Sequence, residues 1–144
     1  MPAWLALVRT HARLWDQVES QMRQASGLTM SRYDVLMQLE QAGGRLGLTD
    51  LAEAVVLSPS GLSKLLDRMS DAGLVTREPD PDDARSAFAT ITPDGRVIVR
   101  RARTGHHTFL QNAFGDALDA RDLANLVRIM TRIDERSRGS SGVS

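Results

Sequence analysis

Apolar side chains along the first 24 residues recur at alternating steps of four and three, which places them on one side of an α-helix. Further apolar residues at positions 5, 7, 12 and 14 widen this surface beyond what one core requires. The pattern predicts a first helix that is buried on two sides, and in so small a chain a second copy is expected to cover one of them. The stripe consists of Trp4, Val8, His11, Trp15, Val18 and Met22.

Two shorter helices are predicted next. Ser31 is expected to cap the first of them, and Gly43 with Gly44 to end it. Residues 45–48 are long enough only for a small strand, and Thr49 is expected to cap the following helix. The inward side chains of these two helices are predicted to be Tyr33, Leu36, Met37, Leu39, Leu51, Ala52 and Val55.

A fourth helix is predicted to begin with Ser58 as its cap and Pro59 at its first position, where a missing amide proton costs nothing. Gly73 lies where a left-handed residue commonly ends a helix. Apolar residues at steps of three and four define the inward face, and small or charged residues define the opposite one. The inward face carries Leu62, Leu65, Leu66 and Met69, and the opposite face carries Ser60, Gly61, Ser63, Lys64, Asp67 and Arg68.

The remainder of the chain predicts a hairpin and two long helices. Residues 74–77 and 87–91 have strand character, and between them Asp80 and Asp82 are expected to face water. Thr92 is predicted to cap a helix that runs to about residue 118, with Ile98, Ala102 and Gly105 facing inward. Asp119 is predicted to cap the last helix, with inward residues Leu123, Leu126, Val127, Met130 and Ile133.

Composition limits the classes of function. The 144 residues are 42% hydrophobic and 25% charged, as in one folded domain, and 18 basic residues balance 18 acidic ones. Attraction to nucleic acid must therefore come from a local arrangement of charge. Cysteine is absent, which excludes disulfides and thiol redox sensing and favours the cytoplasm. No apolar stretch approaches the roughly 20 residues needed to span a bilayer, so no membrane partner or export signal is predicted.

The sequence contains no complete motif for metal binding or catalysis. Asp80 and Asp82 alternate as calcium ligands would, but the glycine turn and closing glutamate of a calcium loop are missing. His106 and His107 are adjacent, so on a helix their side chains diverge; His107 is expected to be solvated. No nucleophile elbow, phosphate loop or paired-carboxylate motif occurs. The sequence predicts no enzyme activity, no metal site and no cofactor.

Two short helices joined by a tight turn and followed by a hairpin are typical of a winged helix-turn-helix. Taken alone, Lys64 and Arg68 are better explained as a solvated helix face, and the caps as ordinary caps. The succession of elements favours double-stranded DNA, with small residues entering a major groove and helix starts facing phosphates. The predicted contacts are Thr49, Ser58, Ser60, Gly61, Ser63, Lys64, Arg68, Arg77 and Arg85.

Several stretches resemble the MarR family of bacterial transcription regulators. The most specific are "LDRMSDAGLVTRE", the tripeptide "DAR" at residues 83–85, and "TITPDG" leading into the next helix. The resemblance covers nearly the whole chain, as one domain over residues 1–144. It implies an obligate homodimer, with dimerisation helices at about 2–28 and 94–136 and a DNA-binding lobe at about 30–93. Residues 137–144 are expected to form a disordered tail.

The resemblance also assigns roles to individual residues. It implies that Arg85 enters a minor groove and that Asp83 braces it, and it places Lys64 where the family usually has arginine in the recognition helix. A palindromic operator and a repressor output are expected. Dimer contacts are expected from Trp4, Val8, Leu123, Leu126, Met130 and Ile133.

Many members of the family bind small aromatic anions in a cleft between the dimer helices and the DNA-binding lobe. For this chain, the residues expected to border such a cleft are His11, Arg13, Trp15 and Tyr33. A simpler explanation of His11 is a hydrogen bond at the dimer interface. The absence of cysteine excludes the thiol-oxidised branch of the family.

The sequence thus predicts a mainly α-helical fold with a small β-hairpin wing, in which a winged helix-turn-helix lobe is flanked by N- and C-terminal dimerisation helices. The predicted function is that of a ligand-responsive DNA-binding regulator. Two alternatives stay open: a helical dimeric protein-interaction module without DNA binding, which the zero net charge would suit, and a winged-helix regulator of another family.

Overall fold

A computed structural model describes residues 1–55, 57–83 and 86–140 of the chain. The described part is mainly helical with one small antiparallel sheet, which confirms the predicted fold class. The chain divides into two compact units, Met1–His106 and the residues from His107 onward. In order, the elements are α1 (Pro2–Ser26), α2 (Met30–Gln41), β1 (Arg45–Gly47), α3 (Leu48–Ala54), α4 (Pro59–Asp71), β2 (Val75–Pro79), β3 (Ala87–Ile91), α5 (Pro93–Leu110), a π-helical segment (Gln111–Gly115) and α6 (Ala120–Ser140).

The three strands form an antiparallel sheet with β3 at its centre. β2 and β3 pair from Val75 opposite Ile91 to Pro79 opposite Ala87. Pro79 has no amide proton, and it lies at the last paired position of an edge strand, where a missing donor is tolerated. All three strands were predicted, although β2 begins one residue later and ends two residues later than expected.

The core of the first unit gathers side chains from α1 to α5, β2 and β3. On α4 the predicted stripe is confirmed, since Leu62, Leu66 and Met69 are buried and Leu65 is partly buried. Each fully buried side chain of this size contributes about 1.5–3 kcal/mol, so the stripe fixes which face of α4 meets solvent. The largest fully buried side chains are Leu28, Leu36, Leu39, Leu51, Leu62, Leu66, Met69, Val35, Val75 and Val99.

Three predicted helix caps are confirmed. The side-chain oxygens of Ser58, Thr92 and Asp119 each accept a hydrogen bond from the backbone amide three residues further on, at 3.1, 3.0 and 2.8 Å respectively. Such a bond satisfies one of the four amides that a helix start leaves without an internal partner. The starts of α4, α5 and α6 are therefore fixed by local sequence.

The predicted cap of α2 is wrong. Thr29, not Ser31, is the cap, and its hydroxyl accepts the amide of Arg32 at 3.2 Å. The carboxylate of Glu19 in α1 accepts the amide of Met30 at 2.8 Å. This second acceptor comes from another helix, and it favours a cap two residues before the predicted one.

The predicted cap of α3 is also wrong. α3 begins at Leu48 directly after β1, and the extended residue Gly47 occupies the cap position without a side-chain bond. Thr49 therefore lies within the first turn of the helix. Since the strand leads into the helix with no loop between them, no position remains in which the Thr49 hydroxyl could act as a cap.

The two last helices differ in detail from the predictions. In α5 the buried residues are Gly95, Val99 and Ala102, whereas Ile98 is only partly buried. Gly95 packs closely against the backbone of Leu74, and this contact turns the helix face of Gly95, Val99 and Ala102 toward the core. α6 continues to Ser140, so the tail predicted from residue 137 is wrong for residues 137–140, which are helical. Residues 141–144 lie outside the described part of the chain.

Candidate nucleic-acid interface

The outer face of α4 combines small polar residues with two cations. Its inner stripe is held in the core and its start is held by Ser58, so the orientation of the outer face is determined. Among the predicted contact residues, Ser60 and Lys64 are exposed, and Gly61 and Ser63 are partly buried. Small side chains near the start of the helix leave room for another surface to approach the backbone closely.

Lys64 and Arg68 are the accessible cations of this face. They lie one helical turn apart and both are exposed. Within the described residues, neither forms an ion pair. Their charges are available to an incoming anion, and their spacing suits phosphates or base edges along a groove.

Arg77 is placed differently from the other predicted cations. Its guanidinium donates a hydrogen bond to the Asp67 carboxylate of α4 at 2.5 Å and a weaker one to the Ser63 hydroxyl at 3.4 Å. The ion pair offsets the charge of Arg77 and ties β2 to α4. The predicted contact residues therefore include one arginine that is neutralised by an internal ion pair, in addition to the two accessible cations of α4.

The hairpin tip between β2 and β3 is organised by backbone bonds. The Asp80 amide donates to the Ser86 carbonyl at 3.0 Å, and the Ser86 amide donates to the Asp83 carbonyl at 2.9 Å. The Asp80 carboxylate accepts the Asp82 amide at 2.9 Å, so it is part of the turn and does not simply face water as predicted. Arg85, and with it the predicted contact to Asp83, lies outside the described residues.

Thr49 borders the groove between α3 and the hairpin. It is exposed, and Arg77, Pro79 and Ala87 line the same groove. The structure thus brings Thr49 close to the predicted contacts of β2, although Thr49 is not a cap. It is a hydroxyl donor and acceptor on the side of α3 that is next to the hairpin.

Helices α1 and α6 each carry apolar surface that the described chain leaves uncovered. None of residues 1–17 is buried, and Trp4 and Val8 are 62% and 44% exposed. Of the α6 residues whose side chains are described, none is buried, and Ile133 is 51% exposed. The other predicted dimer residues of α6 are Leu123 and Leu126, which are partly buried, and Met130, which is exposed.

A cavity of about 540 Å³ is bordered by α1, the first turns of α2 and the turn before α4. His11 and Trp15 of α1 contribute stacked rings, with 6.0 Å between centroids and 24° between planes. Leu57 directly precedes the cap of α4, so the cavity extends to the start of that helix. The lining residues are His11, Trp15, Met30, Ser31, Asp34 and Leu57.

Arg13 and Tyr33, the other two residues of the predicted cleft, do not line this cavity. Arg13 is exposed on α1. Tyr33 is buried against His106, with 5.0 Å between ring centroids. Burial raises the pKa of Tyr33 and lowers the pKa of His106, because a charge on either side chain would lose contact with water.

Asp34 is the one acid among the four lining residues that the sequence did not place in the cleft; the others are Met30, Ser31 and Leu57. Burial raises the pKa of its carboxyl, and a hydrogen bond from the Gln38 side chain partly offsets this effect. The sequence does contain a signal for its position, because Asp34 lies four residues after Met30 on α2 and so shares a helix face with it. An acid on the same helix face as an apolar residue is thus a reasonable candidate for the lining of a cleft.

Neither a metal cluster nor a membrane-spanning helix occurs in the described ranges. Across residues 1–55, 57–83 and 86–140, no group of three histidine, cysteine, aspartate or glutamate side chains is placed to hold a metal ion. Over the same ranges, no helix combines the length and the apolar character required to cross a bilayer.

Together, α3, the tight turn, α4 and the sheet with its hairpin define the class of winged helix-turn-helix DNA-binding proteins. The sequence model of the MarR family matches residues 26–86, which include these elements up to the hairpin. AbsC, a MarR family transcriptional regulator from Streptomyces coelicolor, is 35% identical; the match covers 95% of this chain and 93% of AbsC, with a TM-score of 0.88. The chain belongs to the MarR family of transcriptional regulators.

Two other relatives are informative. Sco3205, a MarR family regulator from Streptomyces coelicolor solved in complex with DNA, is 29% identical over 92% of this chain and 84% of its own, with a TM-score of 0.88. A helix-turn-helix transcriptional repressor from Mycobacterium tuberculosis is 34% identical over 100 residues, or 69% of this chain and 65% of the repressor. These relatives are transcriptional regulators.

Proposed function

We propose that the chain is a homodimeric, ligand-responsive repressor that binds a palindromic DNA operator, with α4 in the major groove and the hairpin in the adjacent minor groove. The observation that carries the proposal is the outer face of α4, where Lys64 and Arg68 are exposed without an ion-pair partner in the described residues. A face of this kind is suited to a polyanion whose grooves admit a helix. The similarity to a DNA-bound regulator and to a repressor supports the proposal.

Dimerisation is supported by the uncovered apolar residues of α1 and α6. A helix as long as α6, with 21 residues and no buried residue among its described side chains, needs a partner to cover its apolar side. A second copy offers the same surface and would satisfy twofold symmetry. Two copies of α4 would then address successive major grooves about 34 Å apart.

The two cations of α4 are proposed to play different parts. Arg68 has the planar fork that binds guanine or phosphate in a bidentate manner, whereas Lys64 offers a single compact charge. Lys64 is therefore assigned chiefly to a phosphate. Ser58, Ser60, Gly61 and Ser63 are assigned to close approach and short hydrogen bonds at the entry of the helix, and Thr49 to a phosphate contact.

For the hairpin, we propose that Arg85 enters the minor groove and that Asp83 orders it by a charge-assisted hydrogen bond. An ordered arginine loses less entropy on binding than a mobile one. Arg85→Ala should weaken operator binding and reduce the preference for A·T-rich flanks, in which the minor groove is narrow. Fluorescence anisotropy with operators that differ only in their flanks measures both effects. If affinity and flank preference are unchanged, the minor-groove role is wrong.

Ligand response is proposed to occur at the cavity lined by His11 and Trp15. The cavity contacts a dimerisation helix, the start of α2 and the residue before the α4 cap, so an occupant would contact the elements that set the position of α4. Its volume of about 540 Å³ lies within the range of small-molecule sites. A ligand weakens DNA binding only if it prefers the arrangement of lobes that does not fit the operator.

The experiment that tests this function is selection of DNA from fragments upstream of the protein's own gene, followed by footprinting. The expected result is a protected palindrome whose half-sites are about one helical turn apart, bound by two chains. Equal affinity for all fragments at moderate salt, or binding of a single chain to an asymmetric site, would contradict the proposal.

A further inference from the structure

The cavity between α1 and α2 has an unusual combination of linings. His11 and Trp15 present aromatic surface, Met30 and Leu57 are apolar, and the single carboxylate is Asp34. Of the described residues, no lysine or arginine lines the cavity. Arg13 is the one cation among the residues expected to border the cleft, and it does not line this cavity. The site instead has a carboxylate where an anion would need a cation.

The Asp34 carboxylate is held in place without a countercharge. The Gln38 side chain donates a hydrogen bond to it, and no described residue forms an ion pair with it. Burial raises the pKa of Asp34, so folding favours the protonated form in the range above the unfolded value near 3.8. The stability that the protonated carboxyl contributes is therefore lost as the pH rises through the folded pKa.

From this lining we infer that the cavity binds a small aromatic cation, whose ring stacks on Trp15 and His11 and whose positive group pairs with Asp34. Aromatic faces attract cations, and an ion pair with a partly desolvated carboxylate is stronger than one in water. The occupant would also relieve the uncompensated charge of Asp34. This inference rests on the effector site of the proposed function, and it specifies the chemical class of the ligand.

The test uses two probes that share one ring and differ in charge. 4-Aminobenzamidine carries an amidinium cation, and 4-aminobenzoate carries a carboxylate at the same position. Titration calorimetry at pH 8 should show at least tenfold tighter binding of the cation to the full chain. Equal binding, tighter binding of the anion, or no detectable binding of the cation at millimolar concentration overturns the inference.

Variants then assign the effect to the carboxylate. Asp34→Asn keeps the shape of the side chain and should weaken binding of the cation by about tenfold or more. Binding of the anion should be unchanged or tighter. Asp16→Asn removes an exposed aspartate of α1 that does not line the cavity, and it should alter neither probe. Trp15→Ala should weaken binding of the cation because the ring face is removed. Undiminished cation binding by Asp34→Asn would overturn the inference.

Operator binding, measured on the same preparations without probe, separates this inference from the proposed function. If the chain binds the operator and Asp34→Asn abolishes only cation binding, both the proposed function and the ligand class are supported. If no DNA is bound but the cation is bound through Asp34, the ligand class stands and the proposed function fails. If the operator is bound and the anion is the preferred probe, the ligand class fails and the proposed function stands.

Discussion

Arg77 of β2 and Asp67 of α4 form an ion pair that joins the hairpin to the outer part of α4. The pair is partly exposed, so its contribution to stability is small, on the order of 0–1 kcal/mol. Its main effect is on charge, because Asp67 offsets the positive charge of Arg77. Asp67→Asn should therefore release Arg77 to bind phosphates, strengthen binding to random DNA and steepen its salt dependence by about one for each additional phosphate that is neutralised.

A matched control for this variant lies on the same helix. Asp71 is exposed and forms no ion pair within the described residues, so Asp71→Asn removes a charge without releasing an arginine. Anisotropy titrations over a series of salt concentrations should show a steeper slope for Asp67→Asn only. If both variants change the slope equally, general repulsion by acids is the cause and the ion pair is not the determinant.

The start of α5 depends on a glycine that packs against the backbone. A Cβ atom at Gly95 would collide with the Leu74 carbonyl oxygen and would lie 2.9 Å from Cγ1 of Ile91. Gly95→Ala should lower the free energy of unfolding by about 2 kcal/mol, because the strain exceeds the gain in helix propensity. Chemical denaturation measures this, with the exposed residue Arg101 as control: Arg101→Ala should change stability by less than about 0.5 kcal/mol.

Burial of His106 predicts a dependence of stability on pH. Burial lowers the pKa of its imidazole, so the unfolded chain takes up a proton at a higher pH than the folded chain does. Stability should fall as the pH drops below the unfolded value near 6.5 and should keep falling to the lowered folded pKa. His106→Gln should reduce the decrease in Tm between pH 7 and pH 5. His107→Gln, which changes an exposed neighbour, should leave that decrease as it is in the unsubstituted chain.

Local patterns predicted most of the fold because they depend on neighbouring residues. The caps Ser58 and Asp119 each bond within three residues, and the α4 stripe follows from helical spacing. The cap of α2 was mispredicted because Glu19, from a different helix, helps to set where that helix begins. Spacing along the chain contains no information on such a contact.

The position of the candidate site could be predicted from the sequence, but the pairing of its charged side chains could not. Lys64 and Arg68 follow from the helix pattern, but the pairing of Arg77 with Asp67 joins residues from a strand and a helix. Likewise, only the folded chain shows that Asp34 lines the cavity while Arg13 does not. Charges near a site can be counted from sequence, whereas their partners depend on tertiary structure.

The central claim is that the outer face of α4 binds DNA, and the salt dependence of operator affinity tests it most directly. Arg68→Gln and Lys64→Gln should each weaken operator binding, and each should reduce the salt slope by about one for every phosphate that the variant no longer neutralises. Arg101→Gln, an exposed arginine of α5, is the matched control and should leave affinity and slope unchanged. Unchanged operator affinity in both α4 variants, or an equally large decrease in the control, would contradict the account.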